Sequence, residues 1–156
     1  MQLSTHLSLA EVTYSDTAKR AGVSNEPTAP HLEAMKKLAE HIFEPIRNHF
    51  QKPIKVSSGY RSAALNAITP GSSATSQHCK GEALDLDQDG MPTGITNKMV
   101  FDYIKGNLNF DQLIWEYGTD TNPDWVHVSF SASGTQRKQV LRCKRNAAGQ
   151  PTYTNF

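Results

Sequence analysis

Cysteine is nearly absent: the 156 residues contain two, Cys79 and Cys143. Two cannot build a disulfide framework in a chain of this size, so the fold has to rest on a buried apolar core. A free thiol is expected at Cys79, with a single bridge to Cys143 as the alternative. Net charge is lacking as well. A formal charge of +1 with 20% charged residues leaves no broadly basic surface, which argues against nucleic acid as a partner. The one basic cluster, Arg137, Lys138, Arg142, Lys144 and Arg145, reads as the solvated face of a terminal strand, with weak docking to an anionic polymer as the alternative. No apolar run approaches the roughly 18 residues of a membrane span, so no membrane insertion is expected. Residues 1–21 lack a basic n-region, a long apolar h-region and a small-residue cleavage site. That predicts a protein made in the cytoplasm without a signal peptide. There are no internal repeats, low-complexity runs or linkers, and the length fits one domain over 1–156, expected to be a monomer.

What is present begins with helical spacing. Ser8 caps a predicted helix running to about Ala21, with Gly22 closing it. After the Asn25–Pro30 break, Leu32, Met35, Leu38, Ala39, Ile42, Phe43, Ile46 and Phe50 recur at three- and four-residue intervals, the pattern of an amphipathic helix that Pro45 should kink or split. His31, His41 and His49 belong to this segment, have no carboxylates grouped around them, and are expected at the surface or in packing. Ile54–Ser58 alternates as a half-buried strand does, Ser62 caps a short helix, and a Gly/Ser/Thr-rich loop leads to His78. Ala83–Asp87 alternates again, placing Ala83, Asp85 and Asp87 on one face and Leu84 and Leu86 on the other. Asp87-Gln88-Asp89-Gly90 has no glutamate at calcium-loop spacing and reads as a turn. Thr96 caps a helix to about Leu108 with Met99, Val100, Tyr103, Ile104 and Leu108 inward. Leu113–Tyr117 and Trp125–Phe130 read as a hairpin, and Val140–Cys143 as an edge strand. Helices first and strands later predict an α+β domain, helices on one side of a mainly antiparallel sheet.

The chemistry concentrates at three positions. An imidazole at His78 and a carboxylate at Asp85 stand across Gly81, and His127 lies on a later strand whose valines turn the other way. Two histidines and one carboxylate leave a coordination position open, as a catalytic zinc requires. Cys79 neighbours His78, but adjacent residues of an extended chain point apart, so both are not expected on one ion. Asp124 sits at the bend formed by Asn122 and Pro123, where its carboxylate can act as general base. Glu116, in the preceding strand, is the rival base or a partner for a histidine. Arg61, on the turn after a strand, can stabilise an oxyanion or hold a substrate carboxylate, and Ser76 and Gln77 can add hydrogen bonds. On the residues alone, chance spacing remains the competing explanation, because His-x6-Asp and Asp-x-x-His are each weak motifs.

In order, the chain carries Ser57-Ser58-Gly59-Tyr60-Arg61-Ser62, Leu65-Asn66, Ser76-Gln77-His78 with Gly81 and Asp85, Phe110-Asp111-Gln112-Leu113-Ile114 with Glu116, and Trp125-Val126-His127-Val128-Ser129. With these motifs it resembles the zinc D-alanyl-D-alanine carboxypeptidase-like family of the hedgehog/DD-peptidase fold, in particular its compact phage and prophage forms, from about Leu9 to Arg145. The resemblance implies one zinc ion bound by His78, Asp85 and His127, an acid/base at Asp124 and an active-site arginine at Arg61. It implies peptidoglycan stem peptide as substrate, cut at a terminal D-alanine, at a cross-link or, as endolysins do, at an L-alanyl-D-glutamate bond. Aspartate at 124, where the dipeptidases of the family have glutamate, favours a wall peptidase. The expected function is therefore zinc-dependent hydrolysis of an amide bond next to a D-amino acid. The expected setting is the periplasm or cell wall after holin-type release, or a virion. The alternative is a non-catalytic, zinc-stabilised wall-binding or virion structural protein.

Overall fold

Ser8 starts the first helix, α1 (Leu9–Thr13), through a reciprocal cap: its backbone N–H donates to the Glu11 carboxylate at 2.8 Å, and Glu11 N–H donates to Ser8 Oγ at 3.3 Å. The single helix expected to reach Ala21 is instead two. Tyr14 is extended, and Ser15 caps a second helix, α2 (Asp16–Ala21), by accepting from Ala18 N–H. Thr13 and Tyr14 hold helix poorly, and a serine placed to cap a new turn decides the break. Gly22, at φ +66°, closes α2 as expected.

In this computed structural model, which describes residues 1–156, the long amphipathic segment forms one rod from Ala29 to Phe50. It comprises α3 (Ala29–Leu38), a π-helical turn (Ala39–Phe43) and α4 (Glu44–Phe50). Pro45 neither breaks it nor ends it. The widened turn just before Pro45, in which Glu44 N–H donates to the Ala39 carbonyl, absorbs the disruption that proline brings to a regular helix. Met35, Leu38, Ile42, Phe43 and Ile46 are buried along one side, as their spacing predicts. The short helix α5 (Ala63–Ile68) is capped by Ser62, and α6 (Asn97–Asn107) by Thr96. Met99 departs from its expected inward position: it is exposed, and its sulfur faces the Thr96 N–H at the helix start.

The sheet has six strands in the order β1-β2-β4-β3-β5-β6. They are β1 (Val56–Ser58), β2 (Ala83–Leu86), β3 (Gln112–Glu116), β4 (Trp125–Ser129), β5 (Gln139–Arg145) and β6 (Pro151–Asn155). Every pairing is antiparallel except β3 with β5. The expected hairpin is β3–β4. The expected edge strand, β5, is interior, because β6 covers it. All five residues of β6 are exposed, so the strand carries no apolar alternation for sequence reading to detect.

Alternation along the strands divides the sheet. Leu84 and Leu86 of β2, Leu113 and Trp115 of β3, and Val126 and Val128 of β4 join Met35, Leu38, Ile42, Phe101 and Ile104 of the helices in one core cluster. The opposite face carries Asp85, His127, Ile114 and Glu116 and is open. The helical layer and the site therefore lie on opposite sides of one sheet.

One glycine fixes where the two layers meet. Gly81 sits at φ +72°, and a Cβ there would stand 2.5 Å from the His31 carbonyl oxygen and 2.9 Å from Met35 Cγ. Both the backbone conformation and the lack of space require glycine. Gly81→Ala is expected to lower stability by roughly 2–4 kcal/mol, read as a drop in urea midpoint at unchanged m-value.

Candidate metal centre

The register of β2 and β4 does the first part of the assembly. Asp85 and His127 are directly opposed across an antiparallel pair, both on the open face, and Asp85 Oδ1 lies 3.0 Å from His127 Nδ1. His78 arrives from a single 3₁₀ turn, Gln77–Lys80, begun by Ser76, whose Oγ accepts from His78 N–H, and ended by Gly81. The Arg61 N–H donates to the His78 carbonyl at 3.1 Å, tying that turn to the segment after β1. His78 is buried, and its Nδ1–H donates to the Gly59 carbonyl at 2.6 Å. That bond settles the tautomer and leaves Nε2, 3.3 Å from Asp85 Oδ2, with a free lone pair.

The three donor atoms lie within 4.8 Å of one another, and they form the one group of three or more potential ligands in the protein. Tetrahedral ligation at bonds of about 2.0–2.1 Å separates donor atoms by about 3.3 Å, and each histidine nitrogen lies near that distance from one Asp85 oxygen, His78 from Oδ2 at 3.3 Å and His127 from Oδ1 at 3.0 Å. Donor types, spacing and the Gly59 carbonyl behind His78 all fit a zinc ion. Burial alone would oppose ionisation of Asp85, but the imidazoles of His78 and His127 beside it outweigh that cost and hold the carboxyl well below its usual range. The site thus presents a carboxylate at any pH near neutrality. Cys79 is free and half-buried and is not part of the donor group, and Cys143 is free and buried.

The triad opens into a cleft of about 910 Å³ over the exposed sheet face. Arg61, Ser76, Gln77 and Glu116 line it along with the triad. Arg61 Nη2 donates to Ser76 Oγ at 3.2 Å, while its Nε–H is buried without a partner. Gln77 Nε2 donates to Glu82 and Asp111 carboxylates at 3.2 and 3.1 Å, so its amide nitrogen braces the turn that carries His78.

Glu116 and Asp124 part company here. Glu116 is 7% exposed and faces the cleft two residues along β3 from Ile114, the residue paired with His127. Burial pushes its carboxyl up to about 7, the Asp85 charge adding to the rise and His127 opposing it. Asp124 is exposed, its carboxylate makes no hydrogen bond, and it lines a neighbouring pocket with Asp120 and Arg142 rather than the cleft. Its N–H is held by the Glu116 carbonyl and its own carbonyl by Asn97, so the main chain is fixed where it enters β4.

The raised Glu116 pKa has a consequence for the metal-free protein. A carboxyl whose folded pKa lies above its unfolded value favours the folded state fully below about 4.5, and that contribution is lost as pH rises through about 7. Glu116→Gln mimics the protonated form. It should match the wild type near pH 4 and exceed it by roughly 2–3 kcal/mol near pH 8, measured by urea unfolding in chelator.

Sequence reading did not anticipate the far wall of the cleft, formed by Tyr117, Gln139, Leu141, Arg145 and Tyr153. For β5 the signal existed, since Gln139, Leu141 and Arg145 share one parity. For Tyr153 there was none, because β6 itself was invisible. The basic cluster is only in part a solvated face: Arg142 is mostly buried, ion-paired with Asp120 at 2.6 Å, and its guanidinium lies 5.6 Å from the Trp115 ring. No helix is long and apolar enough to cross a membrane. The family described as Peptidase M15 matches residues 5–129. A comparison with curated proteins returned no match.

Proposed function

The chain belongs to the peptidase M15 family, and we propose that it is a zinc-dependent peptidoglycan peptidase that hydrolyses an amide bond next to a D-amino acid in the stem peptide or a cross-link. The observation carrying this reading is the His78–Asp85–His127 donor group at the floor of an open cleft that also presents a buried glutamate. His78 Nε2, an Asp85 carboxylate oxygen and His127 Nδ1 would hold the ion. When bound, zinc supplies a Lewis acid that polarises the scissile carbonyl and makes water a nucleophile near neutral pH.

The remaining work belongs to side chains of this chain. Water oxygen bonds to the carbonyl carbon, the carbon–nitrogen bond breaks, and one proton of the water moves to the departing amine. Glu116 carries that proton, accepting it during attack and releasing it to the amine nitrogen, a role suited by its buried carboxyl lining the cleft beside the donor group. We place the base here rather than at Asp124 because Glu116 lines the cleft and Asp124 does not. Arg61 offers its unpartnered Nε–H and fixed charge to the developing oxyanion or to a substrate carboxylate. Ser76 aims Arg61, Gln77 steadies the His78 turn, and the Gly59 carbonyl keeps the His78 proton on Nδ1. The protein acts as one domain and a monomer, at the wall, as a phage or prophage endolysin or a virion-carried enzyme.

Digestion of purified peptidoglycan by zinc-loaded protein, followed by mass spectrometry, tests the proposal. New amine termini next to D-amino acids, or released D-alanine, are the expected result, and the fragment masses identify the bond. Undigested material, from protein shown to hold one zinc per chain, would overturn it.

A further inference from the structure

Five basic residues cluster near the end of the chain, and four of them are accounted for. Arg137 pairs with Asp111 at 2.7 Å, Arg142 with Asp120 at 2.6 Å, and Lys144 with Asp120 at 3.9 Å. Lys138 is exposed and outside the cleft. Arg145 is different: no carboxylate lies within ion-pair distance, yet the side chain is held in place. Its Nη1–H donates to the Gly149 carbonyl at 3.0 Å, and its guanidinium lies 4.6 Å from the centre of the Tyr117 ring. One of five N–H groups is thus engaged, and the others are available. Arg145 also stands where the metal cleft meets the neighbouring pocket, both of which it lines together with Tyr117 and Trp125.

Two further observations point to a built site. Tyr117 has φ +53°, a backbone conformation that bulky side chains rarely hold. It is kept there by its N–H donating to the Cys143 carbonyl at 3.0 Å and by Gly118, where a Cβ would meet the Asn122 carbonyl oxygen at 2.3 Å. The result sets the Tyr117 ring against Arg145 and 5.4 Å from Trp125. Tyr153 of β6, paired with Cys143 two residues along β5 from Arg145, is 53% exposed and lines the same cleft. Both β5 and β6 lie beyond the residues that match the family.

We propose that Arg145, set over the Tyr117 ring with Tyr153 lining the same cleft, is a subsite for a carboxylate that the peptide substrate carries away from the bond being cut. This deepens the peptidase reading and rests on it. The β5 strand lies two strands from the His127 strand, so Arg145 is at least roughly 10 Å from it, the reach of about three extended residues. A guanidinium with paired N–H donors held over an aromatic ring matches a planar carboxylate on a peptide, and it disfavours the same position capped as a neutral amide.

The test uses one stem peptide prepared twice, with its internal carboxylates free and amidated. Zinc-loaded wild type should show kcat/KM roughly tenfold higher for the free acid, and Arg145→Gln should bring that ratio to about one. Arg145→Lys should fall between them. The wild-type preference should also shrink as salt rises from low to about 0.5 M, a reading that needs no variant to fold. A ratio that Arg145→Gln leaves unaltered, or no wild-type preference, overturns the subsite. If neither peptide is cut, the peptidase reading fails, and calorimetric titration of the same two peptides still decides the subsite. Tighter binding of the acid that Arg145→Gln abolishes supports it, and equal binding of acid and amide overturns it.

Discussion

Glu116→Gln leaves a folded protein that retains zinc and cleaves peptidoglycan peptides roughly 10³-fold more slowly, while Asp124→Asn stays within about threefold of wild type. The first half follows from burial and chemistry. Glu116 is a buried carboxyl lining the cleft, where a proton must be both accepted and returned, and glutamine keeps its shape while removing that capacity. The second half follows from position. The Asp124 carboxylate is exposed and belongs to the adjoining pocket. Steady-state rates of the two zinc-loaded variants on one peptide substrate check both halves. The reverse result, a large loss with Asp124→Asn and little with Glu116→Gln, would return the base to the position that the family resemblance implies.

His127→Ala lowers zinc affinity by more than roughly 100-fold and takes activity with it. Loss of a mere hydrogen-bond partner of a metal ligand weakens binding about 10–100-fold, so loss of a ligand itself sets a higher floor. The substitution also removes the histidine whose Nδ1 lies 3.0 Å from Asp85, leaving that half-buried carboxylate with His78 alone. Chelator competition monitored by a fluorescent zinc indicator reads the affinity directly. Because an ion that binds only the folded state raises stability by mass action, zinc should lift the melting temperature of the wild type and leave that of His127→Ala nearly unmoved.

The facing of Asp85 and His127, two of the three residues that could hold a metal, was legible because each rests on local pattern. Leu84 and Leu86 alternate with Asp85, and Val126 and Val128 alternate with His127, so the core-facing residues alone dictate that both polar side chains point away from the helices. Register then opposes Asp85 to His127, which no local pattern specifies but which the hairpin and its neighbour impose. Asp124 shows where that logic stops. A residue just before a strand can follow the turn or the strand, so alternation alone does not set its direction, and backbone bonds to Glu116 and Asn97 fix only its main chain. The helical segments were legible in extent and less so in detail. Ser15 splits the first one because a cap outweighs a weak helix former, and a π turn lets Pro45 stay inside the second. The C-terminal hairpin was half hidden: β5 alternates visibly, whereas β6, fully exposed, is held by pairing alone. The cleft wall it builds, with Tyr153 and Arg145, could not be read before the pairing was known.

The most direct test is diffraction from zinc-loaded crystals, recorded on both sides of the zinc absorption edge. One anomalous peak per chain is expected, about 2.0–2.2 Å from His78 Nε2, an Asp85 carboxylate oxygen and His127 Nδ1, with its open side towards Glu116 and Arg61. A peak held by other residues, or none at these three in protein that binds zinc in solution, would contradict it.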